Sequence, residues 1–195
     1  MCWRRCCRFF FAFEGSRPKA RELVTIAVLC ALAVAGRAAF FMIPQVKPMA
    51  AVVILAGAAF GGGAGFLVGA VSAFVSNLFF GQGPWTPWQM FAFGLIGFFS
   101  GLLFRRPARR PRARRLALCA YGGLSVMIIY GLLMDTQSAL MLSEPSWPLM
   151  AAAWLRGLSF NLAHALSTVF FLAVMARPML EKIDRLKLKY GMLAG

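Results

Sequence analysis

Polar side chains are scarce in this sequence, and ten of them gather in one half of its apolar runs and in the connections at that end: Arg37, Lys47, Asn77, Gln82, Gln89, Asp135, Gln137, Arg156, Asn161 and His164. Amides, one carboxylate, one imidazole and three cations, in no metal-ligand spacing, suit recognition of a small polar molecule better than its chemical conversion. Trp85, Trp88 and Trp147 offer aromatic walls beside them. Asn161 and His164 are one helical turn apart, and Thr168 continues their stripe. The connection FFGQGPWTPWQM, Phe79 to Met90, is too rich in special residues for a plain loop. Gly81 and Gly83 supply bends, Pro84 and Pro87 stiffen the backbone beyond them, and Gln82 and Gln89 bracket Trp85 and Trp88. A shaped aromatic lid is expected, with Trp85 against a ligand and Trp88 as the membrane-boundary anchor.

Catalytic readings have less support. Ser100 in GFFSG and His164 in LAHAL invite comparison with an intramembrane serine protease of rhomboid type, but Phe98 stands where the GxSG motif needs glycine. The two side chains also differ in depth, about 7 Å against about 20 Å from the inner ends of their spans at 1.5 Å per residue. The glycines of GGGAG are not followed by Gly-Lys-Ser/Thr, and Phe66 replaces the third glycine of GxGxxG, so no nucleotide site is expected. The acids Glu14, Glu22, Asp135, Glu144, Glu181 and Asp184 lie at span ends or outside spans, unlike the buried carboxylates of a proton-coupled carrier. Cys2, Cys6 and Cys7 lack a His or second Cys pair, so reduced thiols and no metal are expected.

The elements that must position these residues are membrane spans. Of 195 residues 61% are hydrophobic and only 14% charged, the composition of an integral membrane protein. Six apolar segments follow one another: Leu23–Ile43, Met49–Phe60, Ala64–Phe80, Gln89–Phe104, Leu116–Met134 and Leu149–Ala176. The expected fold is an all-α bundle of six transmembrane helices over 23–176, between a basic N-terminal segment (1–22) and a basic C-terminal tail (177–195). Eighteen of the 21 Lys and Arg residues fall before the first segment, in the 105–115 connection, or after the last. The positive-inside rule then places both termini in the cytoplasm, with PQVKP, GQGPWTP and DTQSALMLSEPSWP outside. The net charge of +15 thus reads as orientation and contact with anionic lipid, not nucleic-acid binding. MCWRRCCRFFFAFEG has too short an apolar stretch for a signal peptide.

The second segment measures only about 18 Å against a hydrocarbon core of about 30 Å, so it is expected to begin before Met49 or to use part of the glycine run, with the turn at Gly61–Gly65. Arg37 is expected to snorkel from the outer end of the first span. In that span Ala27, Ala31, Ala35 and Ala39 recur every four residues and form one small-residue face. Gly57, Gly61, Gly65 and Gly69 repeat the spacing, and internal packing or turning accounts for them.

The alanine ladder, the segment GRAAFFMIPQVKPMAAVVILAGAAFGG and above all FVSNLFFGQGPWTPWQMFAFGLIGFFSGLL resemble the substrate-binding S component of energy-coupling factor (ECF) vitamin transporters, nearest to the cobalamin type. The likeness covers Leu23 to Phe104, and the last two spans in layout. It implies a non-catalytic subunit of the cell membrane that captures a vitamin from outside. It also implies docking through Ala27, Ala31, Ala35 and Ala39 onto a transmembrane coupling subunit driven by two cytosolic ATPases, so that ATP is used by partners only. Cobalamin is the first expectation for the substrate, with riboflavin, biotin, folate and queuosine-type ligands as alternatives. The expected binding residues are Arg37, Lys47, Asn77, Gln82, Trp85, Trp88, Gln89, Asp135, Arg156, Asn161 and His164. The N-terminal CWRRCCRFFFAF and the Arg-rich fourth-to-fifth connection have no counterpart in the resemblance.

Overall fold

A computed structural model describes residues 20–104, 111–142 and 146–190, and every element among them is helical. The Cys2, Cys6 and Cys7 cluster, Glu14, Glu144, the cations up to Lys19 and the stretch Arg105 to Arg110 lie outside the described residues. The helices are α1 (Ala20–Ala39), α2 (Met49–Phe60), α3 (Gly62–Phe80), α4 (Thr86–Phe104), α5 (Pro111–Ser125), α6 (Leu132–Leu142) and α7 (Trp147–Tyr190). A π-helical segment, Val126–Gly131, joins α5 to α6 in one continuous crossing. Among the described residues five stretches are long and apolar enough to span a membrane, and α2 is a sixth, shorter apolar helix. Five spanning stretches and the shorter α2 therefore fit the six apolar segments that were expected. One end of the bundle carries Trp85, Trp88, Trp147 and Trp154, the other Arg112, Arg114, Arg115 and the cations of late α7; these are called the tryptophan end and the basic end.

The second crossing neither starts early nor borrows from the glycine run. It ends at Phe60, Gly61 turns the chain with φ +93°, and α3 starts at Gly62. Twelve residues suffice because α2 does not face lipid. Every residue from Met49 to Ala58 is buried, and α1, α3, α4, α5 and α7 all contact it. A helix apolar on every side belongs in such a centre. Its carbonyl end needs donors, and the basic end supplies them. Arg114 Nη2 donates to the Ala58 and Phe104 carbonyls, both at 3.4 Å. Lys187 Nζ donates to the Ala59 carbonyl and lies 4.8 Å from the Phe60 ring centroid. Two of the cations read as orientation signals thus also cap the central helix.

Glycine brings α3 onto α4. A Cβ at Gly65 would collide with the backbone of Gly97, one at Gly97 with the backbone of Gly65, and one at Gly69 with the Phe93 carbonyl. Gly57 meets the same Gly97 carbonyl from α2. The glycine spacing is internal packing and, at Gly61, a turn, as the sequence suggested.

The last crossing runs further than the apolar pattern indicated. The pattern stops at Ala176, but α7 continues through Pro178 to Tyr190, 44 residues in all and about 66 Å at 1.5 Å per residue. Pro178 removes one backbone donor without ending the helix. Leu180 and Ile183 keep this extension packed against the bundle.

A polar relay at the tryptophan end

Arg37 does not snorkel. From the last turn of α1 it turns inward and donates from Nη1 to Ser76 Oγ at 2.6 Å and Asn77 Oδ1 at 2.8 Å on α3. Phe80 lies beneath the guanidinium at 5.3 Å, and Phe41 stacks on Phe80 at 4.8 Å. Asn77, fully buried, passes the chain of bonds on: its Nδ2 donates to Gln89 Oε1 at 2.7 Å and Thr86 Oγ1 at 3.1 Å. Gln89 Nε2 donates to the Tyr130 hydroxyl at 2.9 Å. The relay Arg37, Asn77, Gln89, Tyr130 thus connects four crossings through side chains alone. Charge-assisted and buried hydrogen bonds are the strong members of such a chain.

Rings close the far side. Tyr130 stands edge-on to His164 at 4.9 Å and tilted to Phe93 at 4.9 Å, and Phe93 meets His164 at 6.3 Å. His164 is 5% exposed, yet its Nδ1 has no partner among the described residues, and neither has the buried Nε of Arg37. Orphaned polar atoms inside a membrane bundle are costly unless something fills their bonding capacity. Lys47 lies in the loop between α1 and α2. Burial, then the charge of Arg37, pushes its ammonium below the ordinary lysine range. Its backbone N–H donates to Ser167 Oγ on α7 at 3.1 Å.

Asp135 and Asn161 form a neighbouring pair. Asn161 Nδ2 donates to Asp135 Oδ2 at 2.7 Å. Two glycines make room for it: a Cβ at Gly131 would strike Asn161, and one at Gly157 the Asp135 carboxylate.

The FFGQGPWTPWQM connection is tied into this relay from below. The Thr86 hydroxyl, at the start of α4, donates to Gln82 Oε1 at 2.8 Å and accepts from Asn77. Gly81 bends with φ +109° as expected. Gly83 takes a different part, for the Trp85 ring lies against it. Trp85 is 41% exposed at the mouth and Trp88 is half-buried.

Of the expected residues, the structure brings Arg37, Lys47, Asn77, Gln82, Gln89 and His164 into one region, with Asp135 and Asn161 paired beside them. Arg156 is exposed and remains outside. Asp135 is bonded to Asn161, not to Arg156. Gln137 is buried but turned along its own helix, donating to Met141 Sδ at 2.6 Å. Sequence reasoning missed Tyr130, Ser76, Thr86 and Phe93. The catalytic alternative has no geometry behind it: the Ser100 hydroxyl donates to the Ile54 carbonyl at 2.7 Å, while His164 is held among Phe93 and Tyr130.

Beside the relay, on the lipid side, α1 and α3 leave an open apolar groove of about 880 Å³. Ala27, Ala31 and Ala35 line it, with Ala38 in place of Ala39, and all four ladder alanines are exposed.

Comparison with curated proteins and with solved structures returned no match. A sequence profile described as "ECF-type riboflavin transporter, S component" matches residues 18–177, most of the chain and all six crossings up to the end of its apolar pattern. The chain belongs to this family of ECF transporter S components, the substrate-binding and non-catalytic membrane subunits of such importers.

Proposed function

We propose that this S component captures a flavin, riboflavin itself being the first ligand to test, at the tryptophan end of the bundle. The observation that carries the reading is the buried relay of Arg37, Asn77, Gln89 and Tyr130 beside the orphaned His164 Nδ1 and Arg37 Nε. A flavin presents a flat aromatic face and an edge of alternating hydrogen-bond donors and acceptors. Amide side chains can answer both kinds of group on that edge, and Phe93, Tyr130 and His164 offer ring walls. The family description, which names riboflavin, supports the same choice. Cobalamin, the first expectation from the sequence resemblance, has less in its favour. A corrinoid is far bulkier than a flavin, and the three ring contacts at 4.9, 4.9 and 6.3 Å hold α4, the π segment and α7 close together.

Titrating the purified chain with riboflavin is expected to quench flavin and Trp fluorescence together. Gln89→Ala and Tyr130→Phe should each weaken binding by about 1–2 kcal/mol, the worth of a buried hydrogen bond with a partner left unsatisfied. Trp85→Ala should cost about 1–3 kcal/mol if Trp85 closes over the ligand as a lid. Tight cobalamin binding without flavin binding would overturn the ligand assignment. A Trp85→Ala variant that binds as tightly as the parent would leave the loop as a membrane anchor.

Transport then runs from the tryptophan end, outside, toward the basic end, in the cytoplasm, of a multi-pass protein of the cell membrane. S components work with a coupling subunit and ATPases, and the alanine groove of α1 is the docking face we assign to the coupling subunit here. Single cysteines at Gln82 and Ser146 should react with an impermeant maleimide added outside, and one at Ala113 should be protected. Outside labelling at Ala113 is incompatible with this orientation.

A further inference from the structure

A second cavity, at the opposite end from the relay, lies between the start of α5 and the second half of α7 and measures about 400 Å³. Arg112, Arg114, Arg115 and Arg177 line it against two carboxylates, Glu181 and Asp184. Arg177 and Glu181 hold each other at 2.9 Å. Arg114 is turned toward the α2 and α4 carbonyls through Nη2, and its buried Nε has no partner among the described residues. Four guanidiniums and two carboxylates leave a formal charge of +2, so the cleft attracts an anion even with its internal pair formed. The floor is of another kind: Leu118, Ala176 and Leu180 are apolar and buried. One turn further into the bundle from Arg112 and Arg177, Leu116 and Val174 point outward at 66% and 58% exposure. A cationic rim, an apolar floor and an apolar outer flank in sequence describe the surroundings of an amphiphile.

We propose that this cleft holds the phosphodiester of an anionic phospholipid, its acyl chains lying along the outer face of α5 and α7. Guanidinium matches phosphate oxygens by geometry as well as charge, and basic pockets between membrane helices at the headgroup level suit anionic lipids. The monovalent phosphodiester satisfies part of the +2 without overfilling it, and Glu181 and Asp184 disfavour denser anions. A free phosphate would share the rim chemistry but gain nothing from the floor and flank.

The full chain is reconstituted in nanodiscs with equal phosphatidylglycerol and phosphatidylcholine, then released into detergent for native mass spectrometry. The parent is expected to retain phosphatidylglycerol in preference to phosphatidylcholine. Combined Arg115→Gln and Arg177→Gln should lower that retention by about thirtyfold, at the strength expected for two cations near a lipid surface. The matching Arg115→Lys and Arg177→Lys pair, which keeps the charge, should retain the lipid within about fivefold. Helical circular dichroism and elution volume verify that both variants are folded; Arg114 is left intact because it caps α2. Equal retention of the two lipids by the parent, unchanged retention in the folded Gln variant, or displacement of the lipid by inorganic phosphate each overturns the proposal.

Discussion

Ala31→Trp and Ala35→Trp are expected to abolish uptake by the assembled transporter while the isolated subunit still binds its ligand at parental affinity. Both alanines are exposed, and both line the groove between α1 and α3. The core contacts of α1 lie on other positions, Leu29, Cys30 and Ala33. A large side chain at position 31 or 35 therefore meets lipid or a partner, not the interior. Close helix packing in a membrane depends on small residues at the contact, and an indole there holds two backbones apart. At the centre of an interface this costs about 2–4 kcal/mol, roughly thirty- to a thousandfold in association. Uptake and binding measured on the same preparation separate the possibilities. Loss of uptake with binding intact supports docking. Uptake at the parental rate shows that no partner uses this face, and joint loss of folding and binding shows that it packs internally.

How much of this was legible in the sequence depends on the range over which each feature is determined. The number and order of the six apolar segments, the turn at Gly61 and the alanine face are local patterns and appear as composition and spacing put them, whereas two segment ends do not: the fifth crossing continues through Asp135 to Leu142, residues expected in a connection, and the last continues to Tyr190. The adequacy of twelve residues for α2 is not local, because it depends on five neighbours that enclose the helix and on Arg114 and Lys187, which reach its last turn from far along the chain. The direction of Arg37 has the same character. Near the end of a span an arginine can reach water, and only the presence of Ser76 and Asn77 on α3 makes the inward rotamer better.

Tyr130 was missed for a more specific reason. It lies in the π-helical segment Val126–Gly131, where the wider turn breaks the 3.6-residue phase of the fifth crossing. Phase counting through Leu116–Met134 therefore could not place Tyr130 opposite Gln89. The asparagine and histidine of α7, Asn161 and His164, were legible because an uninterrupted helix preserves their one-turn spacing. Arg156, five residues before Asn161 and so about 140° away around the same helix at about 100° per residue, has the polarity of a binding residue but faces outward.

The largest structural effect is expected at Gly97, and Gly123 supplies the comparison that makes the result interpretable. Both glycines lie within helices of the membrane bundle, and by intrinsic helix propensity Ala is better than Gly at either place by about 1 kcal/mol. Their surroundings differ. A Cβ at Gly97 would enter the backbone of Gly65, including its carbonyl oxygen, and a backbone cannot rotate out of the way. A Cβ at Gly123 would lie 3.2 Å from Val169 Cγ2 alone, a side-chain methyl that moves by a few tenths of an ångström. Gly97→Ala must push α3 and α4 apart. That separation stretches the contact on which Asn77 of α3 reaches Thr86 and Gln89 of α4, at 3.1 and 2.7 Å. The cost should be at least about 3 kcal/mol, the upper range of overpacking, with ligand affinity lost in the folded remainder. Gly123→Ala should fall within about 1 kcal/mol of the parent, on either side of zero. Thermal unfolding in detergent, followed by helical circular dichroism and paired with flavin titration, reads both quantities. If Gly97→Ala and Gly123→Ala unfold alike and bind alike, the backbone approach of α3 to α4 is not what holds the polar relay together.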